Sequence, residues 1–265
     1  MTEHRAFAAL GLGSVLCCFA AGTTGAATVG DVATPCNNAC SYSIAVGPVG
    51  GQETTVTTGT FNVDPVSGLI SLNPINWQSA GTSASLSLHG NSDPILGFNF
   101  SAGTAGTSEN FSLTLSMPIA LAGRISANSS VDYTLTALSG AGASITPTAG
   151  HVVTAVDLST LNGGPPPFNK GVDVGDAFSF IGGPITHSPS QAFTASDMFT
   201  LAAGYNLMSV TLDFTLSANS EVGISGFVQQ TAVPLPPALL LFLSGACLIW
   251  GLRRKPLQVD LPAFI

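Results

Sequence analysis

Charged side chains are scarce in this sequence, and positively charged ones are the scarcest. Asp, Glu, Lys and Arg make up only 8% of the 265 residues, about a third of the usual share of roughly 25%. Between Thr28 and Ala232 the only cations are Arg124 and Lys170, against 12 acidic residues, which gives a formal charge of −10. Two cations cannot neutralise a phosphate backbone, so the sequence argues against nucleic acid as a partner.

The shortage of charge also bears on secondary structure. Long soluble helices need Glu, Lys, Arg and Gln on their exposed faces, and this chain has few of them. It contains 30 Gly and 17 Pro among many Ser, Thr and Val residues. Strands joined by tight turns suit this composition, so it predicts a β-protein.

Motifs for catalysis and for cofactor binding are missing as well. The sequence has no Gly-x-Ser-x-Gly elbow, phosphate-binding loop or dinucleotide fingerprint. His89, His151 and His187 are scattered without a metal-ligand spacing. We therefore predict no catalytic residue, no metal site and no cofactor. A hydrolase would require two carboxylates that converge on one cleft, for which Asp132 and Asp213 are the candidates.

Alternation of apolar and hydroxyl residues with period two runs through the body. The apolar positions of the clearest strands are Phe111, Leu113, Leu115 and Met117; Val131, Tyr133, Leu135 and Ala137; and Val210, Leu212, Phe214 and Leu216. One apolar and one hydroxyl-rich face per strand predicts antiparallel sheets around a shared core. We expect an all-β fold, a jelly-roll-like antiparallel sandwich, as one extracytoplasmic domain over residues 28–232.

Three segments lead to more local expectations. Residues 54–63 read as one strand, joined by the turn Asp64-Pro65-Val66-Ser67-Gly68 to a partner strand over residues 69–72. The Gly- and Pro-rich residues 163–167 predict a loop. Residues 197–204 suggest a short helix.

The N-terminus has the pattern of a secretory signal peptide. Arg5 precedes an uncharged, mostly apolar stretch over residues 6–21, and small residues follow up to Ala27. We predict a signal peptide over residues 1–27. A retained N-terminal anchor helix is the alternative.

Cysteine placement follows from this export prediction. Cys17 and Cys18 lie in the predicted signal peptide, and Cys247 lies in a C-terminal apolar run. Cys36 and Cys40 remain in the body, and an oxidising compartment favours a disulfide between them. A zinc site would need further ligands at workable spacing.

The C-terminus contains a membrane-length apolar segment. Residues 233–252 form an uncharged span of 20 residues, and Arg253, Arg254 and Lys255 follow it. We predict a transmembrane helix over residues 238–252, with the basic flank and residues 256–265 in the cytoplasm. A buried core helix is the alternative.

This C-terminal pattern resembles the PEP-CTERM sorting signal, in its Val-Pro-Leu-Pro-Ala variant. The resemblance implies that Val233, Pro234, Leu235 and Pro236 form the motif recognised by an exosortase, a membrane-embedded transpeptidase-like enzyme. It implies a Gram-negative host that makes exopolysaccharide, and a transient anchor in the inner membrane. The body would then be displayed at the cell surface or secreted.

Together these features predict an exported, non-enzymatic protein of the cell surface or the exopolysaccharide matrix, with exopolysaccharide as a candidate partner. The alternative is a carbohydrate-binding module that uses an exposed strand face. Trp77 and Tyr205 are the aromatic residues that could stack on a sugar there.

Overall fold

Strands account for all of the regular structure in the computed structural model, which describes residues 28–29, 40–64, 66–91 and 94–233. In chain order they are β1 (Thr28–Val29), β2 (Ser41–Pro48), β3 (Thr54–Thr60), β4 (Asn62–Val63), β5 (Leu69–Ser71), β6 (Ile75–Ser79), β7 (Thr82–Asn91), β8 (Ile95–Thr104), β9 (Glu109–Pro118), β10 (Leu121–Ala137), β11 (Ala143–Pro147), β12 (Val153–Leu158), β13 (Phe168–Asn169), β14 (Phe178–Phe180), β15 (Ile185–His187), β16 (Phe193–Leu201), β17 (Leu207–Leu216) and β18 (Ser220–Ala232). These ranges contain no helix.

The strands form two sheets, and every strand pair is antiparallel. Sheet I follows the order β1-β10-β18-β8-β7-β5-β4, with β15 and β16 also paired to β10 and β6 paired to β7. Sheet II follows the order β13-β12-β17-β9-β2-β3, with β11 paired to β17 and β14 paired to β11. The antiparallel arrangement predicted from alternation is therefore confirmed.

The apolar faces of both sheets meet in one hydrophobic core. Every apolar position named above on β9, β10 and β17 is buried. Phe111 and Phe214 of sheet II are stacked with ring centroids 5.6 Å apart, and Phe100 of sheet I meets Phe214 at 6.2 Å. The predicted β-sandwich is confirmed.

The predicted strand over residues 54–63 is wrong in one respect, because it is divided between the two sheets. Its first part is β3 in sheet II, and its last two residues are β4 in sheet I. Phe61 lies at the crossing, is 2% exposed, and donates its N–H to the carbonyl of Cys40. Burial of this ring between the sheets explains why the chain changes sheet there.

The turn that follows has the predicted chemistry. Asp64 Oδ1 accepts hydrogen bonds from the N–H groups of Val66 at 2.7 Å and Ser67 at 3.1 Å. The N–H of Gly68, at φ 69°, donates to the Asp64 carbonyl. β4 and β5 pair on either side, with Val63 opposite Ile70. The hairpin is confirmed, and so is the loop over residues 163–167.

The expected helix over residues 197–204 is wrong. Residues 193–201 form β16, which pairs with β10 from Gly123 to Val131. Phe193, Ala195 and Phe199 pack against the core. Pairing along a long neighbouring strand outweighs the weak local preference for helix.

The described residues belong to one compact unit, Ala27–Val233. Residues 1–27 and 234–265 lie outside the described residues, so the predicted signal peptide, sorting segment and cytoplasmic tail stay predictions. In the part of the chain that is described, no helix is long and apolar enough to cross a membrane.

Candidate functional site

An open groove lies on the outer face of sheet I, where β7, β8, β18 and β10 run side by side. The strand register places Ser85, Ser101, Gly223 and Thr134 in one row across the sheet. The next row begins with Ser87, Asn99 and Ser225. The groove has a volume of about 400 Å³ and is lined by Pro74, Asn76, Ser85, Leu86, Ser87, Asn99, Phe100, Ser101, Thr134, Gly223, Ile224 and Ser225.

Gly223 leaves room in this groove because it has no side chain between Ser101 and Thr134. A Cβ atom placed on Gly223 would meet nothing nearer than the Cβ of Thr134, at 3.9 Å. The position could therefore hold a larger residue without a backbone clash. Its glycine keeps the outer face concave where neighbouring strands carry side chains.

The lining residues offer hydrogen bonds and no charge. Ser85 Oγ and Ser101 Oγ are 2.6 Å apart, and the amide of Asn99 donates to Ser87 Oγ at 3.5 Å. Hydroxyl and amide groups both donate and accept, which suits polyhydroxylated ligands. None of the lining residues is ionisable, and the ionisable residue Asp132 pairs with Ser225 and continues the second row on β10.

The aromatic residues named from the sequence do not line the groove. Trp77 lies on β6 and packs half-buried against the core. Tyr205 precedes β17 of sheet II, and its hydroxyl donates to the carbonyl of Pro166 at 3.0 Å. The structure does not bring these two aromatic rings together into one stacking surface.

Phe227 is the exposed aromatic residue near the groove, and the sequence prediction missed it. Its side chain is 37% exposed, and it follows Ser225 by two residues on β18, so both point to the same outer face. The signal was present in the sequence, because Gly223, Ser225 and Phe227 share the phase opposite to buried Val222, Ile224 and Val228.

The two mid-strand carboxylates are not brought together. Asp132 lies between buried Val131 and Tyr133 on β10, so it points outward from sheet I. Asp213 lies between buried Leu212 and Phe214 on β17, so it points outward from sheet II. The cleft with two carboxylates that a glycosidase needs is therefore not formed by this pair. Glu53 lies near Asp213. The pKa of Glu53 is raised mainly by burial and to a lesser degree by the negative charge of Asp213.

A second polar cluster lies inside the sandwich. Lys170 Nζ is 3.2 Å from Asp157 Oδ1, and both side chains are fully buried. Gln230 Nε2, from β18 in sheet I, donates to the same Asp157 oxygen at 2.7 Å. Burial lowers the pKa of Lys170 to about 8 and raises the pKa of Asp157. Both shifts favour the uncharged forms.

The backbone around Lys170 is held by a polar network. Asp173 accepts hydrogen bonds from the Ala155 N–H at 3.1 Å and from the Asn169 amide at 2.7 Å. The carbonyl of Val172 accepts a hydrogen bond from the Ser129 hydroxyl of sheet I. In the sequence, Lys170 is notable only as one of the two cations of the body, and no local motif signals its burial.

Histidine and cysteine side chains are the usual metal and redox groups of proteins. His151 Nδ1 lies 3.4 Å from Asp176 Oδ1, and both side chains are exposed. Within the described ranges, no group of three or more His, Cys, Asp and Glu side chains could hold a metal ion. Cys40 is buried and disulfide-bonded. Cys36 lies outside the described residues, so its pairing with Cys40 stays a prediction.

One residue of the predicted sorting motif lies within the described part of the chain. Val233 is the last described residue, and its N–H donates to the carbonyl of Arg124 at 2.9 Å. Pro234, Leu235 and Pro236, and the basic flank of Arg253, Arg254 and Lys255, lie outside the described residues.

No protein-family model and no curated protein matches this chain.

Proposed function

We propose that this chain is an exported, non-enzymatic protein of the cell surface or the exopolysaccharide matrix in a Gram-negative bacterium. In this proposal residues 1–27 are the signal peptide and the jelly-roll-like sandwich is the exported body. Val233, Pro234, Leu235 and Pro236 are the motif that an exosortase recognises. Residues 238–252 are a transient anchor in the inner membrane.

The observation that carries this proposal is the order of features at the C-terminus. A Val-Pro-Leu-Pro motif, an uncharged span and the basic cluster of residues 253–255 follow one another. A basic flank is retained on the cytoplasmic side, which leaves the body outside. The signal-peptide pattern at the other end of the chain requires the same topology.

A set of C-terminal variants tests the sorting part of the proposal. Deletion of residues 234–265 should abolish anchoring and processing, and substitution of Pro234 and Pro236 by Ala should block processing while the anchor remains. The matched control is deletion of residues 256–265, which should leave processing intact. The measurement is the intact mass of cell-associated and released protein. A location and a C-terminal cleavage that neither the deletion of residues 234–265 nor the proline substitutions alter would refute a sorting role.

Carbohydrate binding is the second candidate function, and the groove on sheet I favours it. Its lining offers serine hydroxyls and Asn amides in two rows, and exposed Phe227 lies on the same face. Sugar ligands are held in this way, by hydrogen bonds to hydroxyl groups and by contact with an aromatic ring. The lining is uncharged and Asp132 lies beside Ser225, where its carboxylate would repel an anionic chain, so a neutral polysaccharide fits this groove best.

Filling the groove tests this second function without removing a polar group. Gly223→Leu places a side chain in the groove, and we expect it to weaken binding of a neutral polysaccharide about tenfold or more. Gly140→Leu is the matched control, because a Cβ there meets nothing within 4 Å. Binding is measured by calorimetry with polysaccharide fragments. Equal affinity in both variants, or no binding by the unaltered protein, would exclude the groove as a glycan site.

A further inference from the structure

One of the two cations of the body lies in its core, in contact with a carboxyl group. Arg124 is exposed, whereas Lys170 and Asp157 are both fully buried with Nζ and Oδ1 3.2 Å apart. Asp157 lies on β12, and Lys170 directly follows β13, which pairs with β12. The two side chains therefore project from adjacent strands at the edge of sheet II.

We propose that Lys170 and Asp157 condense to form an intramolecular isopeptide bond, a covalent link between the Lys170 side-chain nitrogen and the Asp157 carboxyl carbon.

The amine of Lys170 and the carboxyl group of Asp157 are in contact, with Nζ 3.2 Å from Oδ1. In the described part of the chain, Lys170 Nζ, Asp157 Oδ2 and Gln230 Oε1 have no hydrogen-bond partner. The Asp157 carboxyl carbon is one bond from the contacted Oδ1. Fixed placement of the amine beside the carboxyl group supplies the proximity and orientation that a bimolecular reaction lacks.

Burial supplies the protonation states that the reaction needs. An amine must be neutral to act as a nucleophile, and a protonated carboxyl group is more electrophilic than a carboxylate and can release its oxygen as water. Removal from water lowers the pKa of Lys170 and raises that of Asp157. Both shifts increase the fraction of molecules in which the carboxyl group holds the proton and nitrogen has a free lone pair.

The third residue of the cluster has a defined role in the same step. The Gln230 amide donates to Asp157 Oδ1 at 2.7 Å. This hydrogen bond polarises the carbonyl and stabilises the negative charge that develops on Oδ1 when nitrogen attacks. The other oxygen, Oδ2, has no hydrogen-bond partner among the described residues and is the one that leaves.

The step is balanced without a co-reactant. The nitrogen lone pair attacks the carboxyl carbon, and a C–N bond forms. A proton passes from nitrogen to the protonated oxygen, the C–O bond breaks, and one molecule of water is released. The product is a neutral amide, which removes two ionisable groups from the core. A neutral amide is less costly to bury than a charged pair.

The link would reinforce a weak part of the fold. β12 and β13 pair over only two residues, Val156 with Asn169 and Asp157 with Phe168. Between them runs the loop that contains Gly163, Gly164 and three prolines. A covalent bond from Asp157 to Lys170 closes this loop and fixes β13 to the sheet, as a disulfide would.

Trypsin provides a direct assay, because it cuts after Lys only when the side-chain amine is free. Lys170 is the only Lys or Arg between Arg124 and Arg253. The full chain is denatured in urea, reduced and digested. We expect a peptide that begins at Ile125, continues through Lys170, and is lighter than its formula by one water. Fragmentation should place the link between residues 157 and 170.

Two variants complete the assay and need not be folded, because digestion follows denaturation. Asp157→Ala should restore cleavage after Lys170 and the full formula mass. Lys170→Arg should be cut at the same position without loss of water. Complete cleavage after Lys170 in the unaltered chain would overturn the proposal. Resistance that persists in Asp157→Ala would overturn it too, because the resistance would then have another cause.

Discussion

Phe100 of sheet I and Phe214 of sheet II meet edge to face across the core, with ring centroids 6.2 Å apart and ring planes at 72°. Phe111 stacks on the same Phe214 ring at 5.6 Å, with planes at 18°. Aromatic pairs in these two geometries add to the free energy gained from burial alone. Phe214 therefore joins the two sheets and contacts a ring in each of them.

Replacement of Phe214 should be among the most damaging single changes. Phe214→Ala removes both ring contacts and leaves a cavity at a position with 0% exposure. We expect the free energy of unfolding to fall by about 3–5 kcal/mol, measured by urea denaturation. Ile181→Ala is the control, because Ile181 is 95% exposed and should change stability by about 0.5 kcal/mol or less. Similar losses for both variants would contradict this account of the core.

The hydroxyl group of Tyr133 occupies the space that a side chain at position 175 would need, so this position is restricted to glycine. Gly175 has φ 95°, and a Cβ atom there would lie 2.0 Å from Tyr133 Oη. Gly150 also has positive φ, at 68°, but a Cβ there meets nothing within 4 Å. Gly175→Ala should therefore cost about 1–3 kcal/mol more than Gly150→Ala, the excess being the cost of overpacking.

A double variant separates the clash from the backbone strain. Tyr133 Oη has no hydrogen-bond partner in the described ranges, and burial, followed by the Asp176 charge, raises the pKa of this phenol. Tyr133→Phe should thus be nearly neutral alone. In combination with Gly175→Ala it should recover part of the lost stability, measured by thermal unfolding. Strict additivity of the two changes would show that the hydroxyl is not the cause.

The inner faces of the strands could be predicted because alternation of apolar and hydroxyl residues directly reports which side is buried. The apolar positions named on β9, β10 and β17 are all buried, whereas the hydroxyl residues Ser129 and Ser209 are buried as well and depart from the rule. The rule does not show which sheet a strand joins. Residues 54–63 are rich in β-branched residues and read as one strand, yet Phe61 ends the pairing with β2 and starts a segment in the other sheet.

Features that depend on distant pairing could not be predicted. β16 is a strand because β10 extends far enough to pair with it, which residues 197–204 do not reveal. The burial of Lys170 depends on Asp157 and on Gln230 from the other sheet. The groove depends on four strands placing Ser85, Ser101, Gly223 and Thr134 in one row. Local spacing carries none of this information.

The turn at Asp64 predicts a specific dependence of stability on pH. Hydrogen bonds from the N–H groups of Val66 and Ser67 lower the pKa of Asp64 below its ordinary value of 3.8. Because the pKa of Asp64 is lower in the folded state, its ionised carboxylate stabilises the folded protein above pH 3.8. This stabilisation is lost as the pH falls through the folded-state pKa. Asp64→Asn keeps the acceptor oxygen but does not titrate.

The unaltered protein should therefore have a higher melting temperature than Asp64→Asn at neutral pH. The difference between the two melting temperatures should shrink below pH 3.8, the ordinary pKa of the carboxyl group. Asp64→Ala removes the acceptor and should be the least stable of the three at neutral pH. The melting temperature measured across this range is the test. A constant difference between the unaltered protein and Asp64→Asn would show that the Asp64 charge has no role.

Thr104 joins β8 to the turn by which the chain passes from β17 in sheet II to β18 in sheet I. Its side chain is 2% exposed, and its hydroxyl donates to the Ser217 carbonyl at 2.6 Å. The Thr104 hydroxyl oxygen also accepts a hydrogen bond from the Ser220 N–H at 3.3 Å. Thr104→Val keeps the shape of the side chain and leaves these backbone groups without the hydroxyl.

We expect Thr104→Val to lower the free energy of unfolding by about 1–3 kcal/mol, because a buried polar group without a partner retains its desolvation cost. Thr104→Ser retains the hydroxyl and loses only a methyl group, so it should cost less than Thr104→Val. Thr114→Val is the matched control on the outer face of β9, where valine suits a strand and should be nearly neutral. If Thr104→Ser proves the more damaging of the two, packing of the methyl group and not the hydroxyl holds this crossing in place.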